Sequence, residues 1–141
     1  MLVDPEDRKS EKGFSLIELI VVLVILALLA AVVGPNVYKK LAKSKDHIAK
    51  IQITDLEGAL QQYAFDMGHY PSSAEGLEAL MRNPANSESW DGPYLTKELP
   101  KDPWQRPYVY RCPGSHTGEF DLLSRGSDGT EGTDDDICSW K

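Results

Sequence analysis

The sequence predicts an α+β protein: one long N-terminal helix packed on a small head that carries a short helix and a C-terminal antiparallel β-hairpin or sheet. Three observations predict it. Phe14 to Val33 is an apolar run whose only polar members are Ser15 and Glu18. Beyond it, apolar residues recur at helical intervals as far as Met67. Two short alternating segments flank a Pro-Gly turn near the C-terminus.

The chain has 141 residues, enough for one domain with a real core plus whatever the N-terminus adds. It is acidic, with 22 Asp and Glu against 15 Lys and Arg and a formal net charge of −7. That balance argues against a nucleic-acid partner, which requires a basic face to neutralise phosphates.

The N-terminal run decides the compartment. Twenty helical residues span about 30 Å, the hydrocarbon thickness of a bilayer. A secretory signal peptide would have a shorter apolar stretch and a small-residue cleavage site. A plain anchor would account for the length but not for Glu18, a carboxylate costing about 2–3 kcal/mol in such a helix unless it has a partner or a function.

Gly34-Pro35 follows the run, and a proline inside a helix removes a hydrogen bond, so a bend or locally melted stretch is expected there. Val37, Leu41, Ile48, Leu56, Leu60, Tyr63 and Met67 then give an amphipathic continuation whose apolar face docks on the head. The whole helix would have about 50 residues, and Gly68 is placed to end it. Ser72-Ser73-Ala74-Glu75 reads as a capping box, with Leu77, Leu80 and Met81 as the apolar stripe of a short helix. From Asn83 to Pro107 no regular element fits. This stretch reads as an ordered loop pinned to the core by Trp90, Tyr94 and Trp104. Tyr108-Val109-Tyr110-Arg111 alternates as a strand, Pro113-Gly114-Ser115 turns, and Glu119 to Ser124 returns as its partner. The tail from Arg125 has no periodicity.

Two features of the C-terminal third suggest chemistry. Cys112 and Cys138 lack metal-ligand spacing, so zinc is not expected. If the chain is exported, an even cysteine count favours a disulfide over two free thiols; the bridge would be worth about 3–4 kcal/mol in the chain-entropy model. Five of the nine residues from Asp128 to Asp136 are carboxylates, interleaved with glycines. That composition suits a solvated acidic loop and a hard-cation loop equally, and the register of an EF-hand is absent. His47, His69 and His116 have no nucleophile or carboxylate at a telling spacing, and no nucleophile elbow surrounds Ser124 or Ser127. No catalytic group is expected, and the chain reads as a non-enzyme.

Lys12-Gly13-Phe14-Ser15-Leu16-Ile17-Glu18-Leu19 closely resembles the processing site of type IV pilin-like proteins. The resemblance implies a leader over 1–13 cut after Gly13 by a prepilin peptidase, N-methylation of Phe14, and a transmembrane or filament-core helix over 14–34. It also implies that Glu18 pairs with a neighbouring subunit's N-terminal ammonium during assembly; two buried opposite charges satisfy each other only in register. Further motifs narrow the family. His69-Tyr70-Pro71-Ser72-Ser73-Ala74-Glu75-Gly76-Leu77, Trp90-Asp91-Gly92-Pro93-Tyr94-Leu95, Leu99-Pro100-Lys101-Asp102-Pro103-Trp104 and Ser124-Arg125-Gly126-Ser127-Asp128-Gly129 resemble the major pseudopilins of the type II secretion system.

What this resemblance implies is a pilin-like fold, with residues 35–141 as a periplasmic globular domain on a single-pass helix in a Gram-negative inner membrane. The implied role is structural: a self-assembling periplasmic pseudopilus, with minor pseudopilins and an inner-membrane assembly platform as partners, that drives export of folded proteins. A surface type IV pilin is the alternative, favoured slightly by the cysteine pair. The family's C-terminal loop binds Ca²⁺; by position Asp128 and Asp136 match the ligand carboxylates, with the Arg125 carbonyl and the Asp134 and Thr133 oxygens as further ligands. The loop is a few residues shorter than is usual in the family, which leaves the assignment among Asp134, Asp135 and Asp136 open. Cys112 and Cys138 depart from the family pattern too; a disulfide there would help the metal hold the tail.

Overall fold

A computed structural model describes residues 13–141. The expected leader, Gly13 apart, lies outside the described residues. The chain falls into two compact units, divided after Lys40.

In the first unit, helix α1 (Leu16–Met67) begins and every described residue up to Lys40 is exposed. Ser15 is its N-cap: its Oγ accepts a hydrogen bond from the Glu18 N–H at 3.2 Å, satisfying one of the orphan donors of the first turn. Of the bend or locally melted stretch expected at Gly34-Pro35, the melting does not occur. Helical structure runs through it, because one missing N–H removes a single bond from a ladder that the flanking residues continue.

The second unit, 41–141, holds the core. Along α1, Ala49, Ile53, Leu56, Leu60 and Tyr63 are buried, a stripe at steps of three and four residues. The expected face is only half right. Leu56, Leu60 and Tyr63 are in it and Met67 packs at its edge, but Val37, Leu41 and Ile48 are exposed, and the small Ala49 and Ala59 lie where the head approaches closely. Gly68 adopts φ +78° and donates to the Ala64 carbonyl at 2.9 Å, the left-handed stop expected of it.

The Ser72–Glu75 box forms. Ser72 N–H and Oγ–H reach Glu75 Oε2 at 2.7 and 2.8 Å, and Glu75 N–H donates to Ser72 Oγ at 3.3 Å. These bonds close a turn rather than open an α-helix. The helix that follows is a single 3-10 turn, Leu77–Leu80, entered through Gly76 at φ +62°. In the proline-rich stretch Trp90 Nε1–H donates to the Ala79 carbonyl at 2.9 Å and Tyr94 O–H to Asp66 Oδ2 at 2.9 Å. Both rings pack on the core, as does Trp104, with Tyr63 and Tyr94 edge-on at 5.6 Å.

The sheet is antiparallel, in the order β1 (Val109–Arg111), β2 (Asp121–Ser124), β3 (Ile137–Cys138). The expected hairpin is β1–β2, with Val109 opposite Leu123 and Arg111 opposite Asp121. Sequence patterning misses β3, which pairs Leu123 with Cys138 and Ser124 with Ile137. A two-residue strand is too short to show alternation. As the central strand, β2 is buried at all four positions.

Candidate functional site: the N-terminal segment and the acidic loop

Gly13 and Phe14 precede the helix and are exposed, Phe14 at 84 %. Among the described residues a side chain at Gly13 would meet nothing within 4 Å, so no contact within them demands glycine there. The demand suits an outside partner that needs close approach to the backbone. Glu18 lies in the first turn of α1 with its N–H bonded to Ser15. A carboxylate here faces the positive end of the helix dipole. Among the described residues the ion pairs are Arg111–Glu131 and His116–Asp121, and neither uses Glu18.

The acidic loop is organised by a residue the sequence reading left outside its ligand set, Asp135. Its Oδ2 accepts from Ser127 Oγ–H at 2.8 Å and from Asp128 N–H at 3.0 Å, and its Oδ1 from Thr133 Oγ–H at 2.6 Å. These bonds, that from Thr133 the strongest, hold its carboxyl well below the usual carboxylate range. The alternation of hydroxyl residues with carboxylates in Ser127-Asp128 and Thr133–Asp135 is the signal that could have found it. Gly126 is required here: at φ +58°, a Cβ would run into the Asp135 carbonyl.

The predicted ligands fall into different environments. Asp128 Oδ1 caps the Thr130 N–H at 2.7 Å. Asp136 Oδ2 accepts from Gly132 N–H at 2.6 Å, while its Oδ1 is buried without a hydrogen-bond partner. The Arg125 carbonyl accepts from Gly129 N–H at 3.1 Å and keeps a second lone pair. Asp134 is exposed. Among the described residues no three His, Cys, Asp or Glu side chains converge as a ready metal shell. The oxygens on offer are the orphaned Asp136 Oδ1 and backbone carbonyls, a donor chemistry that suits a hard cation.

Two arginines hold the loop to the head. Arg106 Nη1 donates to the Gly126 carbonyl at 2.8 Å, and Arg111 forks onto Glu131 at 2.6 and 2.8 Å, holding that carboxyl low.

The expected Cys112–Cys138 bridge is not made; both are free thiols. Cys112 follows β1 and Cys138 lies in β3, on opposite sides of β2. Two ladder spacings are roughly 10 Å, beyond the reach of a disulfide. Cys112 donates instead to the Glu119 carbonyl at 3.3 Å.

Residues 36–140 match the family model described as "Type II secretion system (T2SS), protein G", and residues 8–34 match the prokaryotic N-terminal methylation motif. The chain belongs to the type II secretion system protein G family. Its relatives include the type II secretion system core protein G of Pseudomonas aeruginosa, 43 % identical over 139 residues, covering 94 % of this chain and 97 % of that one. That of Aeromonas hydrophila is 41 % identical, covering 94 % of each. A crystal structure of the major pseudopilin of enterohaemorrhagic Escherichia coli superposes with a TM-score of 0.62 at 32 % identity, covering 72 % of this chain and 87 % of that chain.

These matches favour the pseudopilin reading over the surface pilin. The unbridged cysteines remove the one feature that leaned the other way. The family is a structural one within a secretion machine, and the motif over 8–34 implies processing at the N-terminus. An exposed apolar helix in a chain of this family supports a single-pass, membrane-anchored protein.

Proposed function

We propose that this pseudopilin is the main repeating subunit of a periplasmic filament that drives export of folded proteins through the outer membrane. The observation that carries the reading is the join between the methylation motif over 8–34 and the protein G match over 36–140. The apolar helix waits in the inner membrane, is cut after Gly13, and moves into a homopolymer through an assembly platform, with minor pseudopilins as further partners. Head-to-tail contacts that do not close build a filament. Glu18 makes the filament the better environment. In lipid its carboxylate has no partner, whereas beside the freed ammonium of a neighbour's Phe14 its charge is met.

In the same reading the acidic loop holds one Ca²⁺. Asp136, Asp128 and the Arg125 carbonyl are the ligands, and oxygens near Thr133 and Asp134 complete them. The orphaned Asp136 Oδ1 supports this assignment. The ion supplies positive charge that draws five mutually repelling carboxylates into one fold. Asp135 orients the loop through Ser127, Asp128 and Thr133.

The test is Glu18→Ala expressed in place of the natural gene. Membrane insertion and cleavage are expected to persist while filament formation and secretion fall at least tenfold. Normal filaments from this variant would overturn the proposed role of Glu18.

A further inference from the structure

Charge along the chain changes abruptly where the apolar run ends. No acidic residue occurs between Glu18 and Asp46, while Lys39, Lys40, Lys43 and Lys45 do. Among the described residues neither ion pair uses any of these lysines. Tyr38, Lys39 and Lys40 are exposed on α1, Tyr38 at 76 %. They begin about 8 Å of helical rise past Val33, and the headgroup layer adds about 5–8 Å to each side of the hydrocarbon. A lysine that leans back along its stem covers the remainder.

This flank runs against the usual orientation rule. Five lysines lie between Gly34 and Lys50, against three basic and four acidic residues in 1–13. By the positive-inside rule the lysine-rich flank would stay in the cytoplasm. The protein G reading puts it on the other side, so these charges are not there to set topology. Mostly exposed and outside the ion pairs of the described residues, they are open to an anionic partner at the outer surface of the membrane.

We propose that Tyr38, Lys39 and Lys40 form a headgroup site for anionic phospholipid in the leaflet where the apolar segment emerges. The two ammonium groups hold the lipid phosphate, and the tyrosine ring sits at the interface, where amphipathic aromatics are favoured. The inference rests on the membrane-stored reading of residues 14–34. The rival anion is the acidic loop of a second copy. Lipid is favoured because α1 delivers these lysines to the membrane surface before any second copy is present. The site then tethers the stored subunit, and extraction must release its lipid.

The experiment uses the full chain reconstituted into phosphatidylcholine vesicles containing about 30 mol% phosphatidylglycerol, with lipid retained on the solubilised protein measured by native mass spectrometry. Each lysine at an anionic surface is worth about fivefold in binding. The wild type is therefore expected to enrich phosphatidylglycerol over phosphatidylcholine. K39Q/K40Q should lose roughly 25-fold of that enrichment while resisting alkaline extraction as the wild type does. High salt should lower enrichment in the wild type only. Equal retention by both proteins, with both still inserted, would overturn the headgroup site and leave the membrane reading intact. A wild type washed out of the vesicles would overturn both. Loss of crosslinks between copies in K39Q/K40Q at unchanged lipid retention would overturn the proposal in favour of the second copy.

Discussion

Ser124 Oγ–H donates to Asp102 Oδ2 at 2.7 Å, and both residues are buried. The other oxygen of Asp102 accepts from Trp104 N–H at 3.0 Å and Arg106 N–H at 2.8 Å. One carboxylate thus joins the proline-rich loop to the central strand. Asp102→Ala strands three donors, the buried Ser124 hydroxyl and two part-buried N–H groups, each worth about 1–3 kcal/mol when fully buried and left unsatisfied. Discounting for relaxation, the head is expected to lose about 3 kcal/mol, and Ser124→Ala about 1. Thermal unfolding of the full chain in detergent, followed by tryptophan fluorescence, checks both.

Acid should loosen the C-terminal region at two linked points. Burial alone would push the Asp121 carboxyl up. Hydrogen bonds from His116 and Ser115, at 2.8–3.2 Å, outweigh it and hold the group well below the carboxylate range, as Thr133 does for Asp135. Both folded values are lowered, so their stabilisation is complete above the unfolded value of about 3.9 and is lost as pH falls beneath it. Asp135→Asn is expected to unfold at lower temperature than wild type at pH 7, with the difference shrinking progressively as pH falls below the unfolded value of about 3.9. Parallel curves across that range would contradict the assignment.

Calcium added at a hundred times its dissociation constant should raise stability by about 2.7 kcal/mol, and chelation should remove that increment. Asp136→Asn is expected to abolish most of the response, because it alters the carboxylate with an unpaired buried oxygen. Asp135→Asn should weaken it by disordering the loop. A melting temperature blind to both chelator and Asp136→Asn would remove the metal from this loop.

Dithiothreitol is expected to leave the melting temperature unchanged, since Cys112 and Cys138 are not bridged. Both should alkylate in the folded chain under non-reducing conditions. Cys138 should react more slowly, because burial pushes its thiol up and the thiolate is the nucleophile. Mass spectrometry of the alkylated chain reads both results.

Much of the fold was legible because it is periodic. The long helix, its glycine stop and the β1–β2 hairpin announce themselves through spacing and turn residues. Ala49 escapes the pattern and Ile48 stands in for it because a small residue gives a weak apolar signal, although Ala49 is fully buried and Ile48 is exposed. The capping box is legible in the sequence but opens no α-helix: its three bonds close a turn, and Gly76 then redirects the chain. β3, the isolated cysteines and the Asp102 junction depend on which strands become neighbours, and no local pattern encodes that. In the acidic loop composition marks the segment, but only folding separates Asp135, with both oxygens committed, from Asp136, with one to spare.

The helix starts at Leu16, and its first-turn bond runs from Glu18 to Ser15, wholly downstream of the Gly13–Phe14 peptide. Among the described residues, the proposed cut there would break no helical hydrogen bond. In the proposed processing, maturation would alter the electrical character of the chain's end and leave the described helix intact: a backbone amide would become an ammonium one turn from a carboxylate. On that proposal, cleavage uncovers a charge on a part already finished.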